Sequence, residues 1–217
     1  MSKLTDQVFK IKRKLWLSKI RKRINNKDFT IISNNCTAGF IYHDLGLQFL
    51  TPTINLFIKT DEYINFVKDL KYYLSCSLVQ DKNKKLDYPV GILKSKNKNK
   101  PDIHIYFNHY KTFKEAKDKW ESRKTRINFN NICYIMDFYD SSYDIKLIDK
   151  FNKLNLENSI VLLHNSNINK DNSFCFKYIE DEVPNGKLFL FSGLTGKRNI
   201  DEFDYVNFLN NIKKKTD

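Results

Sequence analysis

Cys36 is the residue with the clearest chemical potential. It closes the polar stretch Ser33, Asn34, Asn35, Cys36, which follows an apolar, β-branched run at residues 29–33. In open α/β sheets ligands bind beyond the carboxyl ends of the strands. A cysteine in the turn after a strand therefore stands where a reactive group belongs. A thiol with a histidine in reach is the minimum for covalent acyl transfer: the imidazole takes the proton and the thiolate attacks an acyl carbon. His43 follows most closely in sequence, with Asp44 beside it. His109 stands after the alternating run at residues 102–108, and His164 ends the apolar run at residues 159–163. His43, His109, His164 is the order of preference for the base. His104, inside the alternating run, ranks behind them. Asn34 and Asn35, or backbone amides of the turn, would stabilise an oxyanion and orient a substrate. The alternatives are that a histidine activates a sugar hydroxyl directly, and that Cys36 packs as a small apolar side chain.

Strands at residues 29–33, 88–93, 102–108, 131–136 and 159–163 alternate with helices at 61–74, 112–127, 143–154 and 201–214. Shorter strands are expected at 174–179 and 187–191. This pattern predicts an α/β fold: a three-layer sandwich with a mainly parallel, Rossmann-like sheet, preceded by a basic N-terminal helix. The run at 29–33 is expected to be an interior strand. In a parallel sheet Cys36, His109, Asp137 and His164 all fall at one edge, because each follows the end of a predicted strand. The helix at 112–127 has Thr112 as N-cap and Glu115 three residues on, a capping-box match. Its apolar stripe Phe113, Ala116, Trp120 continues into Arg123. A guanidinium pointing inward needs an anion, such as Asp44, Asp137 or a ligand phosphate. Arg126 on the same helix is a second candidate for substrate contact.

The cysteines, Cys36, Cys76, Cys133 and Cys175, are widely spread and form no CxxC pair. With no secretory signal, this predicts a reduced, cytoplasmic protein with free thiols. One cysteine and scattered histidines lack the spacing of a zinc site, so no metal is expected. Neither GxxxxGK[ST] nor GxGxxG occurs, and no stretch reaches 18 apolar residues. The net charge is +13, but residues 1–28 hold ten of the 38 Lys+Arg and two of the 25 Asp+Glu. That segment carries +8 and leaves +5 for the other 189 residues. The basic total is thus local, and no nucleic-acid partner is expected. Residues 1–28 are read as a basic amphipathic helix, with Leu4, Val8, Ile11 and Leu15 on one stripe and Trp16, Ile20 and Ile24 on another; residues 29–217 are read as one α/β domain. Such a helix either packs on its own domain or lies on an anionic inner membrane face.

SNNCTAGFIYHDLGLQFLTPTINLFI, YPVGIL, DIHIYFNHY, FKEAKDKWESRKTRIN and NICYIM resemble the bacterial DUF1919 family. Its members are commonly labelled exopolysaccharide biosynthesis proteins. The resemblance covers about residues 29–190 and implies a pathway more than a reaction. The SNNC turn also resembles the GNCQ turn of WcbI-like polysaccharide acetyltransferases, which use a cysteine and a histidine. Carried over, this implies Cys36 and His43. Asn34 stands for the glycine, Thr37 for the glutamine, and the Cys–His spacing is shorter. The expectation is a transferase of surface or exopolysaccharide biosynthesis, an acyltransferase with acetyl-CoA as donor. The alternative is a non-catalytic partner that binds a glycan or a lipid-linked saccharide.

Overall fold

Side chains alternate across a strand, so a strand covered on both faces reads as a continuous apolar run. The sheet of this protein, a computed structural model, is built from such runs. The structure describes residues 3–138, 144–164, 168, 170–177, 188–192 and 195–215, with side chains from residue 7. In chain order the elements are α1 (Lys3–Arg23), β1 (Thr30–Ser33), α2 (Thr37–Leu45), α3 (Thr60–Lys68), α4 (Leu70–Ser75), β2 (Ser77–Gln80), β3 (Val90–Lys94) and β4 (Ile103–Tyr106). They continue with α5 (Phe113–Lys124), β5 (Ile132–Phe138), α6 (Lys146–Asn152), β6 (Ser159–Leu163), β7 (Ser173–Cys175), a 3-10 turn (Asn199–Glu202) and α7 (Tyr205–Asn210).

A four-stranded parallel sheet runs β1-β5-β6-β7, and a three-stranded antiparallel sheet runs β2-β3-β4. Ile31, Cys133, Ile135 and Leu162 face one side of the parallel sheet, where α1, α2 and α7 bury them. Ile32, Ile132, Met136, Val161 and Leu163 face the other, under α3, α4, α5, α6 and the antiparallel sheet. Layers on both faces of a central parallel sheet are the expected α/β arrangement.

Two expectations are corrected. First, β1 is an edge strand among the described residues, where β5 is its one ladder neighbour. Its outer edge is closed by side chains and loop. Thr53 Oγ1 accepts the Ser33 N–H at 3.2 Å and Tyr42 Oη accepts the Ile31 N–H at 3.3 Å. The Ile58 N–H donates to the Asn34 carbonyl at 2.8 Å. A continuous apolar run reports that both faces are covered and carries no information about the edges. Second, the segments around β3 and β4 leave the parallel sheet. Only residues 95–102 join them, too few for the crossover a parallel pair requires, so the chain doubles back as a hairpin. β2, absent from the sequence expectations, completes that sheet.

α1 carries the basic segment. Trp16 and Ile20, with Ile24 just beyond the helix, pack against the α2 side of the core. Arg13, buried, forms ion pairs with Asp44 in α2 and Asp201 in the 3-10 turn. Burial alone would depress its pKa, and the two carboxylates more than offset that. The expected helix at 61–74 divides at Asp69 into α3 and α4. Thr112 caps α5 as expected, its hydroxyl accepting the Glu115 N–H at 3.2 Å.

Candidate functional site

Parallel register sets the ends of three strands side by side: Ser33 is opposite Ile135, and Phe138 is opposite Leu163. The turn after β1, the end of β5 and the residue after β6 therefore meet at one sheet edge. The Asn34 side chain extends the ladder one step past β1. Its Oδ1 accepts the Asp137 N–H at 2.8 Å, and its amide donates to the Asp137 carbonyl at 2.9 Å. Asp137 is thereby fixed at 1% exposure. Its carboxylate accepts from the Asn35 amide at 2.8 Å, the Thr37 hydroxyl at 3.0 Å and His164 Nε2 at 2.6 Å. A buried carboxylate with three donors satisfies what burial demands of it. It also sets the tautomer of His164: with Nε2–H directed at Asp137, the neutral ring carries its lone pair on Nδ1.

This pair borders a cavity of about 300 Å³. Its polar lining is Asn35, Cys36, Asn108, His109, Asp137 and His164; its apolar lining is Phe40, Phe57, Leu188 and Phe189. Phe40 and Phe189 stack at 3.5 Å between ring centroids. A wider groove of about 670 Å³ lies between the antiparallel sheet and the start of α5, lined by Lys84, Lys111, Lys114 and Lys117 among others. It holds neither a cysteine nor a histidine, so the chemistry belongs to the smaller cavity.

Cys36 stands at the N-cap position of α2 without a capping bond from its side chain, where the helix dipole favours a thiolate. Burial outweighs that. It pushes the thiol up to about 11, with a smaller push from the Asp137 charge, against a lowering contact with the Leu56 carbonyl. The Sγ contacts that carbonyl at 3.9 Å, and no histidine hydrogen-bonds the sulfur. The resting group is a protonated thiol, not half of a thiolate–imidazolium pair.

The cavity gathers Cys36, His109, Asp137, His164 and Asn35. His109 reaches it from the loop after the antiparallel β4, not from the edge of the parallel sheet, and is exposed. The other expected site residues lie elsewhere. His43, the first choice for the base, sits in the last turn of α2 with its side chain 75% exposed. The stretch after Cys36 coils into a helix, so proximity in sequence becomes about two turns of separation. Asp44 is committed to Arg13. Asn34 and Asn35 direct their amides at Asp137, and the Thr37 and Ala38 N–H groups are taken by Asn35 Oδ1 and Ser33 Oγ. The Thr37 and Ala38 N–H groups are thus taken, whereas each amide keeps a second N–H, and Asn35 borders the cavity. Arg123 turns inward but meets no carboxylate: it donates to Tyr110 Oη at 2.7 Å and lies over the Phe49 ring. Arg126 is exposed and donates to Ser122 Oγ at 3.1 Å. His104, half-buried, bonds Glu62 at 3.0 Å.

Sequence reasoning missed α2 and the aromatic lining. The helix was legible: Ala38, Ile41, Tyr42 and Leu45 follow helical spacing, and Gly46 ends it at φ 69°. Phe40, Phe57 and Phe189 carry no local signal, since exposed and cavity-lining phenylalanines look alike in a sequence. Among the described residues no group of three or more His, Cys, Asp or Glu is placed to hold a metal ion. No described helix is long and apolar enough to cross a membrane.

A family model described as Domain of unknown function (DUF1919) matches residues 7–210. A Haemophilus influenzae protein named "Uncharacterized protein" is 31% identical over 191 residues, 88% of this chain and 88% of that protein.

Proposed function

The chain belongs to the DUF1919 family, and we propose that it is a transferase of surface or exopolysaccharide biosynthesis that places an acyl group on a glycan hydroxyl. The observation that carries this reading is the His164–Asp137 pair bordering an aromatic-lined cavity. Aromatic faces suit the apolar faces of a sugar ring, and about 300 Å³ suits one saccharide unit with an acyl group. His164 takes the proton of the acceptor hydroxyl as its oxygen attacks the acyl carbon; the bond from that carbon to the donor's sulfur breaks, and the imidazolium returns the proton to the departing thiolate. Asp137 holds the ring and stabilises its cationic form. Asn108 and His109, whose side chains have no hydrogen-bond partner among the described residues, and the second amide N–H of Asn35 are the donors for the acyl oxygen. Acetyl-CoA is the proposed donor.

A covalent acyl-Cys36 intermediate is the second reading, favoured by the position of Cys36 in the same cavity. The raised thiol and the engaged backbone amides of Thr37 and Ala38 weigh against it. Release of CoA from acetyl-CoA in the presence of glycan acceptors tests the proposal. Direct transfer requires that His164→Gln abolish release while Cys36→Ala keeps a measurable fraction; loss in both variants points to the covalent route. Absence of release by the wild-type chain, together with a thermal shift on glycans, replaces catalysis with a non-catalytic glycan- or lipid-carrier-binding role.

A further inference from the structure

α1 has two apolar faces, and only one is used by the domain. Trp16 and Ile20 face the core with Arg13. Val8, Ile11 and Leu15 face away and are 42%, 60% and 61% exposed. At about 100° per residue these three lie within about 60° of one another, a narrow outward ribbon. Charge is divided in the same way. The arginines serve the domain: Arg13 pairs with Asp44 and Asp201, Arg21 donates to the Asp44 carbonyl, and Arg23 pairs with Asp204. The lysines do not. Lys10, Lys14, Lys19 and Lys22 are exposed and have no ion-pair partner among the described residues. Lys10 and Lys14 run along one flank of the ribbon, Lys19 along the other, and Lys22 lies at its end.

We infer that this outer face of α1 docks the protein on an anionic lipid bilayer. An apolar ribbon flanked by lysine on both sides matches the boundary between acyl chains and headgroups: Val8, Ile11 and Leu15 enter the apolar side, and the lysine stems lie along it with their ammonium groups at the phosphates. A protein partner would be expected to meet the ribbon with carboxylates at fixed positions; a bilayer requires only the two flanks. Because the inner face of the same helix is locked to α2 and the 3-10 turn, docking would hold the whole domain at the membrane. This inference is independent of the chemistry in the cavity.

The test is co-sedimentation of the full chain with vesicles of phosphatidylcholine alone and with added phosphatidylglycerol. Two triple variants accompany it, Val8→Ser/Ile11→Ser/Leu15→Ser and Lys10→Gln/Lys14→Gln/Lys19→Gln. All six positions are exposed or project outward, and thermal unfolding checks that each variant is folded. Binding to the anionic vesicles only, weakened by added salt, is expected. Each lost lysine should weaken partition about fivefold, and loss of the ribbon should abolish it. Equal binding to neutral vesicles, no binding, or unchanged binding by either variant overturns the inference. So does a wild-type dimer that the ribbon variant converts to a monomer without any vesicle binding, since the face would then join two copies of the chain.

Discussion

Arg13→Met probes how the N-terminal helix is held. The guanidinium is 7% exposed and sits between Asp44 and Asp201, at 3% and 1%. Methionine keeps an unbranched stem and removes the charge. Two carboxylates then share a site closed to water with no cation, and the bond from Arg13 to the Gly196 carbonyl, 3.3 Å long, is lost too. Removing one partner of a buried ion pair costs about 3–5 kcal/mol. A second route gives the same size: keeping one aspartate neutral at pH 7, from an ordinary pKa of about 3.9, costs about 4 kcal/mol. That route also fixes the sign of the pH dependence. In the variant the folded state holds the extra proton more tightly than the unfolded chain does. The deficit therefore shrinks as pH falls, by about 1.4 kcal/mol per unit between pH 7 and 5. Urea titrations at both pH values measure it. Far-UV circular dichroism follows the whole fold, and emission of Trp16, which Lys197 covers at 4.4 Å, follows docking of α1. A loss below about 1 kcal/mol, the range of an exposed pair, or an equal loss at both pH values refutes the reasoning.

Three further outcomes are expected. Asp137→Asn should lower acyl transfer about 10²–10⁴-fold, because an amide cannot accept from Asn35, Thr37 and His164 together; full turnover by this variant would remove the pair from the mechanism. Cys36, with its thiol pushed up to about 11, should alkylate slowly with iodoacetamide at pH 7 and about tenfold faster per pH unit until near that value, since only the thiolate reacts; a rate by mass spectrometry that levels off below pH 8 would contradict the burial argument. Gly196→Ala should lower the urea midpoint by the equivalent of about 1–3 kcal/mol: φ is +79°, and the new Cβ would lie 2.5 Å from the Lys12 carbonyl carbon and 2.7 Å from the Arg13 nitrogen.

The elements of this fold were legible wherever a local period carried the signal. Residues 132–136 and 159–163 read as strands and are strands. The Thr112 cap was correct because capping involves residues three apart. The division of α1 into two stripes was also visible, though not which stripe would face the core. The errors share one origin. Strand β1 was placed in the interior because its faces are apolar, and its missing second neighbour is a property of chain crossing. His43 was preferred because it is close in sequence, and the helix between Cys36 and His43 turned that closeness into exposure. The expected partner of Arg123 is Asp44, Asp137 or a ligand phosphate, whereas Tyr110 holds Arg123 and Arg13 holds Asp44.

The sequence by itself determined the α/β class, the basic helix and the candidate set Cys36, His109, Asp137 and His164, because apolar periodicity and turn chemistry act over a few residues. Tertiary structure alone decided that His164 and Asp137 form the pair. They lie 27 residues apart, and the 2.6 Å contact depends on β5 and β6 being parallel neighbours in one register. It also decided that Asn34 is a clamp, that Asp44 belongs to Arg13 across 31 residues, and that Cys36 stays protonated. Burial and ion pairing depend on what packs from distant parts of the chain, and no local pattern encodes them.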